Sequence, residues 1–542
     1  MLKLIHKYFI EQKKVIFLAL FLSILLITCA KRSQPTGGEK DEQPPVLLKA
    51  IPAEETTNFK ADEITLTFDE FIKLKDLNKQ LIISPPLKNK PLITPVGTAS
   101  KKLQISILDT LKENTTYVFN FGQSVMDNNE ENIYPNFKYV FSTGDIIDSL
   151  KINGKVKDAF KKEPEEYITV MLYPYDEQFT DSTIYKQQPT YVANTLDSIA
   201  WEITNIKVGK YKLIAIKDKA NNFIFKPLSD QIGFIKEPVE LPASQSFTLN
   251  MFKEEAMFTV IRPFEVAKNH IQIGYLGNSD NVEITALNQP DDFKSYISKE
   301  QDKDTLNYFY TGAISDSLQL KISKAQITDT VMVKLRKKEL DSLKFSSSVS
   351  RFLTPNDTLK IIGNTPLTNI DTSGIKLMDK DTLPVKFKAT ISKDNRWISI
   401  DFDKKYNQNY KLTVMPNAIT NFMQEANDTL QYKFSVKSPE DYGKLSVNFK
   451  GVKKYPIIIQ LLNEKDKITA QQTGREEVTH KFIFIEPGKY WLRIIFDENN
   501  NGKWDTGSYL HQRQPEKVQY IKISKTIKAN WEISETYILS RE

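Results

Sequence analysis

The sequence predicts an all-β protein, a row of small β-sandwiches on a flexible N-terminal tether. Three observations predict it. Short runs such as "EITLTFDEFIKL" and "KKLQISIL" alternate apolar and polar residues with the period of two that a half-buried strand requires. The 542 residues include 31 Phe and 23 Tyr against only 19 Gly, a strand-favouring balance, and no long apolar run follows the helical period. Two kinds of stretch, each about 100 residues long, recur along the chain, and a unit of that size can close its own core.

The N-terminus reads as an export signal. Lys3, Lys7, Lys13 and Lys14 precede an apolar stretch at 15–28, shorter than the about 20 residues that span a bilayer. The stretch ends at Leu26-Ile27-Thr28-Cys29, which resembles a bacterial lipobox, although Thr28 stands where Gly, Ala or Ser is usual. The resemblance implies that residues 1–28 are a signal peptide and that Cys29, the one cysteine of the chain, is lipidated. Two or three acyl chains anchor a protein stably. An uncleaved anchor helix or an intermolecular disulfide accounts less well for where Cys29 sits. The first acid after it is Glu39, which under bacterial sorting patterns implies the outer membrane with its periplasmic face favoured; the cell surface is the other facing. Residues 29–43 form the lipidated tether. "SQPTGGEKDEQPP" is rich in Pro, Gly and charge and cannot bury enough apolar surface to fold. It resembles a stretch found after the lipidated cysteine in Bacteroidota lipoproteins.

Residues 44–146 form the first module. "NTTYVFNFG" and "FKYVFSTG" supply aromatic strands, with Phe137, Tyr139 and Phe141 alternating in the second. Ile51-Pro52-Ala53-Glu54, the run from Ile64 to Glu70, Leu111 to Tyr117 and the close at Tyr139 to Gly144 resemble the bacterial Ig-like domain of the SbsA type. "MDNNEENI" replaces one of its usual turns. Residues 147–250 form the second module. "EYITVMLYPYD" is expected as an alternating strand, and "WEITNIKVGKYKLIAIKD" as a strand pair that resembles transthyretin-like and carboxypeptidase-regulatory-like sandwiches, with Tyr211, Leu213 and Ala215 pointing inward. Residues 251–340 read as another β-sandwich-like unit. Residues 341–438 parallel the first module, and 439–542 parallel the second, with Gly488-Lys489-Tyr490 aligned on Gly209-Lys210-Tyr211. Such repetition favours an extended or gently bent rod of successive units.

Composition and motifs narrow the function. The net charge is +6, of which the signal supplies +3 through four Lys and one Glu, and no basic stripe interleaved with aromatics supports nucleic-acid binding. Four histidines show no catalytic or metal-ligand spacing, and no phosphate loop or nucleophile elbow is present. No catalytic residue is identified, and the chain is expected not to be an enzyme. One loop stands out. In "DENNNGKWDTG", Asp497, Asn499, Asn501, Lys503 and Asp505 occupy positions 1, 3, 5, 7 and 9, with Gly502 at 6, resembling the first half of an EF-hand-like calcium loop. Position 12 is Ser508, so the bidentate carboxylate is missing, and an Asx-rich turn is the other reading. No cofactor is expected other than calcium in this loop. Trp201, Trp397, Trp491 and Trp531 are expected in cores or between sheets; Trp504 is either a ligand platform or a plug that fixes its loop. The expected function is an outer-membrane lipoprotein that scaffolds or docks other envelope proteins, as in an assembly or secretion complex. A surface glycan binder is the rival, and an envelope hydrolase the third reading.

Overall fold

The computed structural model describes residues 41–300, 303–314, 316–336 and 338–539. The signal, Cys29 and most of the tether lie outside the described residues. Within them the protein is almost wholly β, and the longest α-helix is the four-residue Leu77–Gln80.

The chain forms two compact units. Among the described residues, the first comprises 41–81, 88–111 and 119–141. Its main sheet runs in the order Leu47–Ile51, Glu63–Leu74, Ser100–Ser106 and Leu92–Thr94, with Val125–Asp127 also paired to Glu63–Leu74. The alternation in "EITLTF" does what it predicts: Ile64, Leu66 and Phe68 are buried. Phe59, Phe119, Phe121, Phe137, Tyr139 and Phe141 fill the core, and Phe59 stacks on Phe141 at 3.8 Å. The "MDNNEENI" turn closes on Asp127, whose carboxylate accepts backbone N–H groups of Glu130, Glu131 and Asn132 at 2.7–3.0 Å.

The second unit holds residues 82–87, 112–118 and everything from 142 onward. Between 150 and 251 a sheet ordered Tyr191–Asn194, Thr169–Pro174, Gly209–Ile216, Ile232–Phe234 faces one ordered Ala200–Ile206, Leu150–Asp158, Phe247–Met251. The last strand of the second sheet runs parallel to the first strand of the module. The same order returns near the C-terminus. Ile468–Gly474, Ile457–Asn463, Tyr490–Phe496 and Val518–Lys522 face His480–Ile485, Gly443–Lys450 and Glu532–Ile538, again with a parallel final strand. The Gly-Lys-Tyr signature does the same work in both. Tyr211 donates its hydroxyl to the Lys207 carbonyl at 2.9 Å, and Tyr490 to the Glu486 carbonyl at 2.8 Å. Residues 259–334 and 345–436 each form a further pair of facing sheets around their own apolar cluster.

Two expectations need correction. Tyr211, Leu213 and Ala215 are buried, but Lys212, Ile214 and Ile216 on the opposite face are buried too. The strand Thr169–Pro174 is likewise buried from Thr169 to Tyr173, and Ile457–Asn463 from Ile457 to Leu462. "TVMLY" and "IIIQLL" are near-continuous apolar runs, broken in the second by Gln460, the mark of strands covered on both faces and not alternating ones. What covers them is the second departure. A row of units would contact only its neighbours, yet the module at 150–251 packs directly against the one at 443–538.

Candidate functional site at the loop 497–517

The loop leaves the core strand Tyr490–Phe496 and returns as Val518–Lys522, spanned by a hydrogen bond from the Phe496 N–H to the Lys517 carbonyl at 3.0 Å. Its first half is a knot of Asx contacts. Asp497 is 1% exposed; its two carboxylate oxygens accept the N–H groups of Asn501 and Gly502 at 3.0 and 2.9 Å. The side-chain oxygen of Asn499 accepts the Asn501 N–H, and that of Asn501 the Lys503 N–H. Both side-chain amides then donate to one oxygen of Asp505 at 2.6 Å. Lys503 lies exposed at the tip, and Gly502 has φ +79.

The sequence reading missed Glu516. Its carboxylate accepts the N–H of Glu498 at 2.7 Å and of Asp505 at 3.0 Å, and its own N–H donates to the Asp505 carbonyl at 3.0 Å. Burial pushes its carboxyl above the ordinary glutamate value; the charges of Asp505 and Asp497 add to the rise, and the two backbone donors oppose it. Glu516 stands eleven residues after Asp505, beyond the reach of any loop-spacing rule, so its position carries no periodic signal. Among the described residues no three acidic, His or Cys side chains are placed together to hold a metal ion, and the oxygens that a hard cation would recruit here, those of Asp497, Asn499, Asn501, Asp505 and Glu516, accept hydrogen bonds or lie apart. Both amides would have to turn over, so that oxygen and not nitrogen faces the position beside Asp505. The arrangement described is that of a hydrogen-bonded turn.

Trp504 folds back on its own loop. Its indole N–H donates to the Glu516 carbonyl at 2.9 Å, and its ring lies 4.7 Å from that of Phe160 in the second module. Of the other tryptophans, Trp201 is buried in a core. Trp397 and Trp491 are half-buried beneath lysines, Lys360 at 4.6 Å and Lys162 at 4.8 Å. Trp531 is 50% exposed, which corrects the expectation that it is a core residue. It precedes its strand, Glu532–Ile538, and so takes no part in that strand's alternation.

Residues 506–514 lie on the outer face of the second module's sheet. Tyr509 is fully buried there, edge-on to Phe234 at 5.2 Å and beside Tyr185 at 6.3 Å, within an apolar cluster that includes Met171, Tyr173, Ile214, Ile216 and Phe252. Backbone and side-chain hydrogen bonds fix the loop. The Thr506 hydroxyl donates to the Lys253 carbonyl at 2.6 Å, the Tyr509 N–H to Glu254 at 2.6 Å, and the Gln514 amide to the Phe234 carbonyl at 2.9 Å. Gly507 is required by close approach, because a Cβ there would sit 2.5 Å from the Phe252 ring. Lys212, 3% exposed, is sealed under this loop. Its ammonium donates to the Lys236 carbonyl at 2.7 Å and to Gln512 at 3.3 Å, and burial lowers its pKa against the pull of Asp181 and Glu237.

The contact is reciprocal. A loop of the second module reaches the outer sheet face of the last one, where the Arg493 guanidinium lies 4.3 Å from the Phe160 ring. Arg493 also donates to Gln460 at 2.6 Å, and the Tyr520 hydroxyl donates to the Phe160 carbonyl at 2.7 Å. Each module thus contributes to the other's second sheet face: Tyr509 joins Ile184, Phe225 and Phe252 over the second module's, and the loop at Phe160 lies over Arg493 and Tyr520 of the last one.

No curated protein matches the sequence. Among solved structures, the chain is similar to the S-layer protein rSbsC at 10% identity over 87% of this chain, with a TM-score of 0.15. It spans 66% of that protein, just under two thirds of its length. It is also similar to the Bacteroides ovatus protein SGBP-B of a mixed-linkage glucan utilization locus, solved with a mixed-linkage heptasaccharide. There the identity is 12%, the coverage 70% of this chain and 92% of that one, and the TM-score 0.18. An I-band fragment of titin aligns at 10% identity over 52% of this chain and 98% of that one, with a TM-score of 0.11. In sequence, residues 41–143 match the bacterial Ig-like domain family.

Proposed function

We propose that the chain is a non-catalytic scaffold of the bacterial envelope, held to the outer membrane by a lipid on Cys29 and docking other envelope proteins from the periplasmic face. The observation that carries this reading is the reciprocal cover between the second and last modules. The least exposed polar groups of the loop 497–517, Asp497 and Glu516, hold backbone N–H groups, and its aromatic Tyr509 locks two sandwiches together. Residues that would mark a reactive cleft are here spent on rigidity, which a docking platform needs. Partners would meet exposed strand edges, where unpaired backbone groups template an added strand.

The test is affinity capture from envelope membranes of cells expressing the tagged full-length chain, compared with a Cys29→Ala chain. The expected result is a reproducible set of outer-membrane proteins with the first and loss of outer-membrane fractionation with the second. Normal processing and outer-membrane retention of the Cys29→Ala chain would refute the lipid anchor. A hydrolytic activity that copurifies with the chain and survives extensive washing would refute the scaffold.

A further inference from the structure

The fourth module carries a cationic face that its own fold does not explain. Its second sheet is ordered Phe352–Leu353, Leu430–Val436, Gln408–Val414, Ile375–Asp379. Leu377, Tyr410, Leu412, Phe434 and Val436 point into the core. The period of two then turns Lys376, Lys411 and Lys433 outward, with Asn409, Thr413 and Ser435 between them. Lys411 and Lys433 face each other directly across the strand pair. Like charges so placed weaken a sheet. The other cross-strand neighbour of Lys411 is Met378, which offers no compensating charge.

Arg351 and Lys380 extend the set at the rim, and all five cations line one shallow concavity. Two acids stand at the Lys380 end, where Asp379 also lines the concavity and Asp381 pairs with Lys380, so the net positive charge centres on Lys376, Lys411, Lys433 and Arg351. One oxygen of Asp379 accepts the N–H groups of Asp381 and Leu383 at 3.0 and 2.9 Å, and Asp381 lies 3.8 Å from Lys380. At the open edge, the half-exposed Phe352 ring lies between Arg351 at 4.9 Å and Lys437 at 4.4 Å.

We propose that this face binds an anionic polysaccharide, a chain of sugars bearing uronate carboxylates. The charge is complementary, and the repulsion between Lys411 and Lys433 is relieved when a carboxylate sits between them. Strands about 4.8 Å apart, with same-face residues about 6.8 Å apart, spread the ammonium groups over a surface and not into a point, which suits a linear polyanion. The hydroxyls of Thr413 and Ser435 and the amide of Asn409 both donate and accept, as sugar hydroxyls do. At the open edge the Phe352 ring holds Arg351 and Lys437 beside the concavity. This proposal does not depend on the scaffold reading.

The test uses the full-length protein in a neutral detergent and a fluorescent octagalacturonate, with anisotropy read at about 50 mM and about 300 mM salt, since exposed charges are screened over about a Debye length. Binding is expected at the lower salt and weaker at the higher, with no competition from neutral dextran. Lys411→Gln combined with Lys433→Gln weakens binding at least about tenfold, since each removes a contact to a charged group. The single variant Lys411→Thr relieves the repulsion and favours the strand, so it keeps the fold and also weakens binding. The proposal is overturned by absence of octagalacturonate binding, by equal binding of dextran, or by unchanged affinity in these variants. It is equally overturned if phosphatidylglycerol vesicles or polyglutamate, and not the glycan, are what these lysines hold.

Discussion

Replacing Tyr509 with Ala removes the side chain that joins the second and last modules. A buried tyrosine contributes about 150–250 Å² of contact, and at about 25 cal/mol per Å² its removal from water is worth about 4–6 kcal/mol. Partial collapse of the site and the methyl that remains reduce this, and measured aromatic-to-alanine costs run about 3–5 kcal/mol. We take about 4 kcal/mol for Tyr509, which is fully buried and edge-on to Phe234. The loss falls on the coupling between modules, because Tyr509 packs on the second module's outer sheet face and not in the core of its own. For a module of about 100 residues, 4 kcal/mol corresponds to a drop of more than about 10 °C. Calorimetry should resolve a single shared transition of the two modules into two. Hydrogen exchange should also rise in the strand Thr169–Pro174, which lies some 340 residues away in sequence. A melting temperature within 2 °C of the parent, with exchange unchanged in that strand, would show that the contact couples nothing.

Other perturbations test the loop itself. Asp497→Ala strips the acceptor from two N–H groups in a site that is nearly closed, and should cost about 2 kcal/mol by chemical denaturation. Gly502→Ala should cost only about 1 kcal/mol, since a Cβ there meets nothing within 4 Å and the penalty is that of the positive φ alone. Because this order holds for a turn without any ion, calcium has to be tested separately. Melts of the full chain with chelator and with millimolar calcium should coincide if the loop is a turn, while a bound ion would raise the melting temperature by mass action. Glu516 sets a pH dependence. Its folded-state pKa lies above the ordinary 4.5, so folding takes up a proton in the window above 4.5 and stability rises as pH falls through that window. Glu516→Gln lacks this gain, so the stability gap between parent and variant should widen from pH 7 toward 4.5 in urea titrations. Trp531→Ala, at an exposed position with Lys528 over its ring at 4.6 Å, should change stability by less than about 1 kcal/mol.

Strand positions and the repeat were legible because they rest on local pattern. Ile64, Leu66 and Phe68 alternate, and the Tyr after Gly-Lys closes the same hydrogen bond at 211 and at 490. The loop 497–505 was visible for the same reason: its Asx residues bond to partners two to six positions away. What was not legible involves partners far along the chain. "TVMLY" held the signal for a strand covered on both faces, but nothing local says that Tyr509 completes the cover. Glu516 looks like any acid before a strand, and its role appears only when the loop turns back on Glu498 and Asp505. Trp531 was misplaced because an aromatic beside a strand was read as part of its alternation.

The reciprocal cover also sets an order of events in biosynthesis. The second module is complete at about residue 252, but its partner loop is not made until residue 514. At about 5–20 residues per second, translation takes roughly 13 to 52 seconds to cross that interval. Through it, Met171, Tyr173, Ile214 and Phe234 are covered by Ile184, Phe225 and Phe252 of earlier chain but still lack the Tyr509 ring. A newly made chain therefore carries a partly open apolar face for nearly half of its synthesis, and any truncation before Tyr509 leaves that face so. Prematurely terminated products should be recognisable as the species that chaperones retain and proteases clear, while the full chain, once its last loop arrives, escapes both.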